Sequence, residues 1–509
     1  MTPVRFGVMA DTKREIERKY ESDESGLPDL TGVAGVAAVI DKGVAHLDAT
    51  YYDTEDERLA ASSVTLRRRT GGSDEGWHLK FPVAPGVRDE IQAPLSGIVP
   101  GSFTGLVRSR VRDAELLPLV RLRSDRDVRH LVDADGLLLA EVSLDTVRAE
   151  RLGTGKSAEW TEIEVELADG GDPAFLDTVD KRLRKAGVRP SKAASKLARA
   201  LAETAPKKKR PKERTPEAPV TAGDHVLAYL RTQRDAIVAL DPAVRRDVED
   251  SVHSMRVATR RMRSTFKSFP KILDREATDP IADELKWLAG ELGVARDREV
   301  LHQRLSAALD EVPPALVSGP VAERLNRWAG ERPGKASGHL IGILDSHRYL
   351  ALLDALDGVL TDPPLLKAAG KNPGKVLGKA VRKDFGKVSA LVEQALELDP
   401  GTDRDTTIHD ARKKTKRTRY AAEAAKPALG ASAKSLIKTM KALQNLLGEH
   451  QDSVMARQTL RELSAVAHAA GESAFTYGLL YGREEQRATA VEAELPGFWA
   501  GNKDATDAL

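Results

Sequence analysis

Residues 161–167 read TEIEVEL, and this order of side chains constrains the backbone more than any other stretch of the chain. In a β-strand, Glu162, Glu164 and Glu166 share one face while Ile163, Val165 and Leu167 share the other. Residues 12–20, TKREIERKY, repeat the device with Glu15, Glu17 and Lys19 on one face, carboxylates spaced about 7 Å apart. From residue 46 to 170, short alternating segments are divided by Gly, Pro and Asp, which predicts a largely antiparallel sheet or barrel.

The polar faces of these strands are segregated by sign. Arg67 and Arg69 share a face in residues 64–69, and Lys80 lies beside His78, opposite Trp77 and Leu79. Arg88-Asp89-Glu90 opens another charged segment, and Glu141 and Asp145 alternate away from Val142 and Leu144. A single charged face would simply be solvated. Turned into a barrel, so many charges are costly unless paired or bound to ligand. The filling that satisfies both signs is a polyanion with a divalent metal, gripped by Arg and Lys on one side and carboxylates on the other.

The ordered set Glu15-x-Glu17-x-Lys19, Tyr52-Asp53-Thr54, Leu66-Arg67-x-Arg69, Leu79-Lys80 and Glu162-Ile163-Glu164 resembles the CYTH domain, the triphosphate tunnel metalloenzymes. The resemblance covers roughly the first 200 residues. It implies an eight-stranded antiparallel tunnel that binds a triphosphate with Mg²⁺ or Mn²⁺. Lys19, Arg67, Arg69, Lys80, Arg123 and Lys192 would then hold phosphate oxygens. Glu15 and Glu17, with Asp145, Glu162 and Glu164, would hold metal or position the attacking water, and Glu15, Glu17 and Lys19 would form the catalytic set. A helix is expected over residues 175–186, followed by the basic piece from Pro190 that contains Lys192.

Residues 205–220 carry four prolines and a basic run without apolar periodicity, the composition of an extended tether. Beyond it the period changes to that of helices. In residues 251–273, Met255, Ala258, Met262, Phe266 and Phe269 fall on one side, while His253, Arg256, Arg260, Arg263 and Lys267 fall on the other. Six cations and no carboxylate occupy this stretch. Like charges on one helix face repel, and an anionic ligand would relieve that cost.

The pattern recurs at residues 408–423, with His409, Arg412, Lys416 and Arg419 at the same offsets and Lys413 beside them. Leu292-Gly293 to Asp297 recurs as Leu447-Gly448 to Asp452, with Gln451 standing where the first copy has Arg296. The offsets, 156 residues for the histidines and 155 for the glycines, indicate an internal duplication. The two histidines are surrounded by cations that would repel a metal, so they are read as hydrogen-bond donors to an anion. His302, His347 and His450 are read as ordinary structural histidines.

This half resembles the CHAD domain, the conserved-histidine α-helical domain. That implies a bilobal helical fold binding inorganic polyphosphate along a basic central surface, extended by Lys434, Lys438 and Lys441. The expected organisation is α+β multidomain: a CYTH tunnel over 10–204, the linker over 205–220, and a CHAD pair of duplicated bundles over 221–502, with lobes near 221–365 and 366–502.

Composition narrows the function. With no cysteine, thiolate metal sites, disulfides and thiol nucleophiles are excluded, which fits a cytoplasmic protein. Aromatics are only 4%, against a base-stacking platform, although basic stripes grip any phosphate backbone and leave nucleic acid as a lesser alternative. No run approaches the ~20 apolar residues of a membrane span, so no membrane partner is expected. The opening residues lack a signal-peptide core, and Met9 is an alternative start to Met1. The expected activity is metal-dependent hydrolysis of inorganic triphosphate with polyphosphate held by the helical half. The alternatives are a hydrolase or cyclase acting on thiamine triphosphate, a nucleoside triphosphate or ATP, and a non-catalytic phosphate-binding adaptor.

Overall fold

The computed structural model describes residues 12–22, 26–205, 218–330, 338–507 and 509, with the side chains of 294–296 outside that description. Most of the tether sequence and both candidate start methionines lie outside the described residues. The chain divides into two compact units, Met1–Glu213 and Arg214–Leu509.

The first unit contains β1 (Thr12–Glu21), β2 (Ala38–Asp53), β3 (Thr65–Thr70), β4 (Gly76–Ala84), β5 (Val87–Ala93), β6 (Leu117–Val132), β7 (Leu138–Arg151), β8 (Ser157–Leu167) and the short β9 (Arg189–Pro190). Its helices are α1 (Arg58–Ala61), α2 (Gly101–Val111), α3 (Ala174–Lys185) and α4 (Lys196–Glu203). The strands run β5-β4-β3-β2-β6-β7-β8-β1, and β5 pairs with β1 to close an eight-stranded antiparallel barrel. Closure removes the free edges that so many charged strands would otherwise expose.

Alternation then sorts every strand into an inner and an outer row. The outer row packs under helices: Ile163 and Val165 join Leu176, Val179 and Leu183 of α3, and Leu66, Trp77, Leu79 and Ile91 join Phe103 and Val107 of α2. Part of the inner row is apolar. Tyr51, Val120, Leu122, Val147 and Trp160 pack with Leu197, Ala200 and Leu201 of α4, so this helix and the inner residues around it form an apolar floor. The charged residues stand among the remaining inner positions, beside uncharged ones such as Leu47, Thr65 and Val128.

The second unit is helical: α5 (Ala222–Arg245), α6 (Ser251–Ser268), α7 (Arg275–Glu291), α8 (Val294–Asp310), α9 (Val321–Ala329), α10 (Gly338–Leu344), α11 (His347–Thr361), α12 (Pro373–Glu397), α13 (Thr402–Ala469) and α14 (Phe475–Ala500). The long α13 is two helical segments joined at Gly430, whose φ of 58° is the left-handed conformation glycine adopts readily. Met255, Ala258, Met262, Phe266 and Phe269 are all buried, as the helical period requires. Their core takes residues from both sequence repeats, from Ala222 through Leu447. A second cluster joins Leu301, Leu305 and Leu325 of α8 and α9 to Leu460 of α13 and Leu480 of α14, so the repeats share their packing. No helix among the described residues is long and apolar enough to cross a membrane.

Candidate functional site

The inner charges of the barrel line a cavity of about 680 Å³. Strand β1 contributes Lys13, Glu15, Glu17 and Lys19, and its register sets Glu17 opposite Glu166 and Lys19 opposite Glu164. The turn between β4 and β5 rests on this strand: the Glu17 amide donates to the Gly86 carbonyl at 2.9 Å. Gly86 has φ of 72°, and a Cβ there would stand 2.6 Å from the Glu17 carbonyl oxygen, so only glycine fits the approach.

Two ion networks occupy the wall. In one, Lys80 donates to both carboxylate oxygens of Glu15, at 2.7 and 2.6 Å, and lies 3.4 Å from Glu90. His78 bonds Glu90 at 2.6 Å through Nδ1 and the Asp74 carbonyl through Nε2 at 2.9 Å. In the other, Lys196 lies 2.9, 2.8 and 2.6 Å from Asp145, Glu162 and Glu164. Arg126 forks onto Asp145 with two 2.8 Å bonds and reaches Glu164 at 2.7 Å. Lys19 bridges Glu17, at 3.0 Å, to Glu164.

These surroundings separate the carboxylates. Burial, reinforced by Glu90 and opposed by Lys80, pushes Glu15 up to about 7. Burial also acts upward on Glu17 and Glu164, but the neighbouring cations outweigh it, Lys19 foremost, and both are held below the usual carboxylate range. On Arg69, burial together with the charges of Arg67 and Arg126 brings the guanidinium down to about 9. The Nε groups of Arg67 and Arg69 are buried without a hydrogen-bond partner among the described residues. Such crowded, incompletely satisfied donors fit an incoming anion.

Most of the expected tunnel residues are brought together: Glu15, Glu17, Lys19, Arg67, Arg69, Lys80 and Glu164 line the cavity, with Asp145 and Glu162 at its wall. Arg123 and Lys192 are not. Val120 and Leu122 point to the barrel floor, so alternation sends Arg123 outward, where it is 60% exposed and 3.7 Å from Asp48. Arg126 takes the inner place on β6. Lys192 is exposed in the loop after β9. Lys196 reaches the carboxylates because it is the first residue of α4, capped by Ser195, and helical side chains lean toward the N-terminus. Arg88 and Glu90 also line the cavity; their alternation with Asp89 was the available signal.

The second unit places the two histidine helices together. Arg256 donates to both oxygens of Asp297 at 2.5 and 2.7 Å, and to the Ala289 carbonyl at 3.2 Å. The stripe is therefore less bare than its sequence suggests. A Cβ on Gly293 would meet the Arg256 guanidinium at 2.4 Å, and one on Gly448 would meet that of Arg412 at 3.4 Å. Each glycine of the repeat thus makes room for the first arginine of its own basic helix.

Arg260 and Lys416, equivalent in the two repeats, form no ion pair among the described residues, and Lys416 feels the charge of Arg260. Burial, then Arg412 and Arg260, bring Lys416 down to about 7. The buried Nε groups of Arg263, Arg412 and Arg419 lack hydrogen-bond partners among the described residues. Lys413 pairs with Asp410 at 2.9 Å, while Lys267 and Lys438 are exposed. Burial and adjacent Lys413 lower His409, whose ring is hydrogen-bonded with Gln451, and His253 is exposed. His450 lies 3.3 Å from Asp405 and 3.0 Å from Glu492, carboxylates also approached by Arg457 and Arg404, the surroundings of a structural histidine.

A family model described as CYTH domain matches residues 13–201, and one described as CHAD domain matches residues 228–461. The Mycobacterium tuberculosis proteins MT2285 and Rv2226 are each 37% identical over 498 residues, covering 94% of this chain and 94% of theirs. The chain belongs to the CYTH–CHAD family. Among solved structures, PptA from Streptomyces chartreusis matches with 22% identity and a TM-score of 0.46, over 56% of this chain and all of that one. The CHAD domain from the plant Ricinus communis matches with 24% identity and a TM-score of 0.43, over 57% and 93%.

The first unit is accordingly a CYTH triphosphate tunnel, of a family that acts on triphosphates with divalent metals. The donor set fits such a metal. Oxygens of Asp145, Glu162 and Glu164, all buried, lie within 4.8 Å of one another, and an all-carboxylate set suits a hard cation.

Proposed function

We propose that the tunnel hydrolyses inorganic triphosphate to diphosphate and phosphate with Mg²⁺ or Mn²⁺, and that the helical unit binds inorganic polyphosphate. The observation that carries the substrate choice is the lining of the cavity. Charged groups surround it, and Tyr51 is its only Phe, Tyr or Trp among the described residues. Tyr51 is 4% exposed and accepts from Arg67 at 3.3 Å, leaving no free ring face for a base or a thiazole.

In this reading Arg67, Arg69, Lys80, Arg88, Arg126 and Lys196 hold the phosphate oxygens and favour the charge that develops on the leaving diphosphate. Asp145, Glu162 and Glu164 would hold the metal, which when bound neutralises phosphate charge. Glu15, titrating near neutrality, takes the proton of the attacking water, because a base is most effective with its pKa near the working pH. Glu17 stays ionised and keeps Lys19 aligned.

In the helical unit, the Arg260–Lys416 cluster with Arg263, Arg412 and Arg419 supplies the polyphosphate surface. The test is phosphate release from inorganic triphosphate, ATP and thiamine triphosphate with Mg²⁺, with Mn²⁺ and with neither. Metal-dependent release greatest from inorganic triphosphate is expected. Release greatest from an organic triphosphate would reject the substrate assignment, and no release from any would reject the enzyme.

A further inference from the structure

The helical unit has a second basic cavity, about 930 Å³, running along α12. Its wall carries Lys371, Lys375, Lys379 and Lys383, together with Lys267 from the end of α6 and Lys271 just beyond it. Among the described residues none of these six ammonium groups is in an ion pair. Asp384, the one carboxylate of the lining among the described residues, is 3% exposed and already taken by Ser268 at 2.7 Å, Arg417 at 3.0 Å and Lys387 at 3.2 Å.

A solvated lysine face is the ordinary explanation of such a row, and three features oppose it. Within α12, Lys375, Lys379 and Lys383 follow the four-residue spacing that stacks side chains on one ridge, where like charges repel, and Lys371 stands just before the helix. They also occupy the approach and first turns of α12, whose first turn has no acidic residue, although the positive end of a helix dipole disfavours cations. Finally, the row forms the wall of a concavity and is continuous with the central stripe, because Lys267 belongs to both.

We infer that this groove is a second seat for phosphate, holding the part of a long inorganic polyphosphate that extends beyond the Arg260–Lys416 cluster. The inference rests on the polyphosphate reading of the helical unit. From Lys375 to Lys383 the ridge adds about 12 Å of cationic track, which only a chain longer than the central stripe can reach. Phe269 lies in the groove but is 1% exposed, and no other Phe, Tyr or Trp among the described residues lines it, so bases would find no stacking face.

The full chain, the triple variant Lys375→Glu, Lys379→Glu, Lys383→Glu, and the corresponding triple Gln variant are compared for binding to a short polyphosphate, a long polyphosphate and single-stranded DNA at fixed salt. The long-to-short affinity ratio should fall roughly tenfold or more in the Glu variant and by less in the Gln variant, as phosphate contacts are lost. An unchanged ratio overturns the second seat, even if both affinities drop. Loss confined to DNA overturns it in favour of nucleic acid. If the unaltered chain binds neither polyphosphate, the underlying reading fails with it, and that failure is visible before any variant is examined.

Discussion

The tunnel and the helical stripe both gather cations, but the tunnel interleaves them with carboxylates throughout, whereas the stripe does so at Arg256, Lys413 and Arg419 and leaves its centre unpaired. Lys196 touches three acidic side chains and Arg126 two, whereas neither Arg260 nor Lys416 forms an ion pair among the described residues, although Asp297 and Asp452 lie near enough to act on them. The contrast separates two ways of handling phosphate. A wall of both signs can hold a metal and a polyanion together and can offer a base. A wall dominated by cations can hold a polyanion but sets no metal-binding carboxylate cluster beside it.

The comparison can be broken most forcefully at Lys196. Lys196→Met removes the one cation shared by three buried carboxylates, and kcat/KM for triphosphate should fall at least ~100-fold, with roughly 3 kcal/mol of stability lost in denaturant melts. Lys192→Met should stay within about twofold, since its side chain is in solvent. Equal effects at the two lysines would return the tunnel assignment to Lys192. Next, Arg260→Glu with Lys416→Glu should weaken polyphosphate retention by ~30-fold or more while leaving triphosphate hydrolysis intact. Loss of both activities together would show that the two regions are one site.

Titration sharpens the contrast with a smaller effect. Lys416, brought down to about 7, is neutral above that pH, so polyphosphate must bind with uptake of a proton there. Affinity should decline by up to about tenfold from pH 7 to 8, and Lys416→Arg should flatten the profile. Without ligand the sign reverses. The unfolded chain binds more protons than the folded one between about 7 and 10.5, so this group makes stability rise with pH across that window. Glu15 behaves oppositely: its raised value means stability falls as pH rises from 4.5 toward 7, which denaturation at several pH values would detect.

The smallest expected effect compares the repeats. Gly293→Ala must displace the Arg256 guanidinium from Asp297 and should cost ~1 kcal/mol in thermal melts, whereas Gly448→Ala meets Arg412 at near-normal distance and should cost a few tenths. Equal costs would mean the two glycines are equivalent packing sites and that the tighter approach at Gly293 carries no penalty.

How far the sequence was legible follows from the same geometry. Side chains alternate strictly on a strand, so Glu15, Glu17, Arg67, Arg69, Lys80 and Glu164 could be placed on inner faces before any coordinates. Arg123 follows from the family resemblance alone, and the parity fixed by Val120 and Leu122 turns it outward. Lys196 was missed because a two-residue strand, a loop and a new helix intervene, and no periodicity carries across them. On the helices, the buried stripe from Met255 to Phe269 was readable from its 3.6-residue period. The Arg256–Asp297 pair joins residues 41 apart, and only the recurrence of the Leu-Gly to Asp segment hinted at it. The shared core of the two repeats was not readable, because a hydrophobic stripe does not name its partner.

The central claim is that one region does metal-assisted chemistry and the other only holds phosphate. One chelator titration of the full chain, following phosphate release from triphosphate and retention of labelled polyphosphate in the same samples, tests it most directly. Release should stop as metal is removed and return when Mg²⁺ or Mn²⁺ is restored, while retention persists throughout. Release that continues without metal, or retention that disappears with it, would contradict the account.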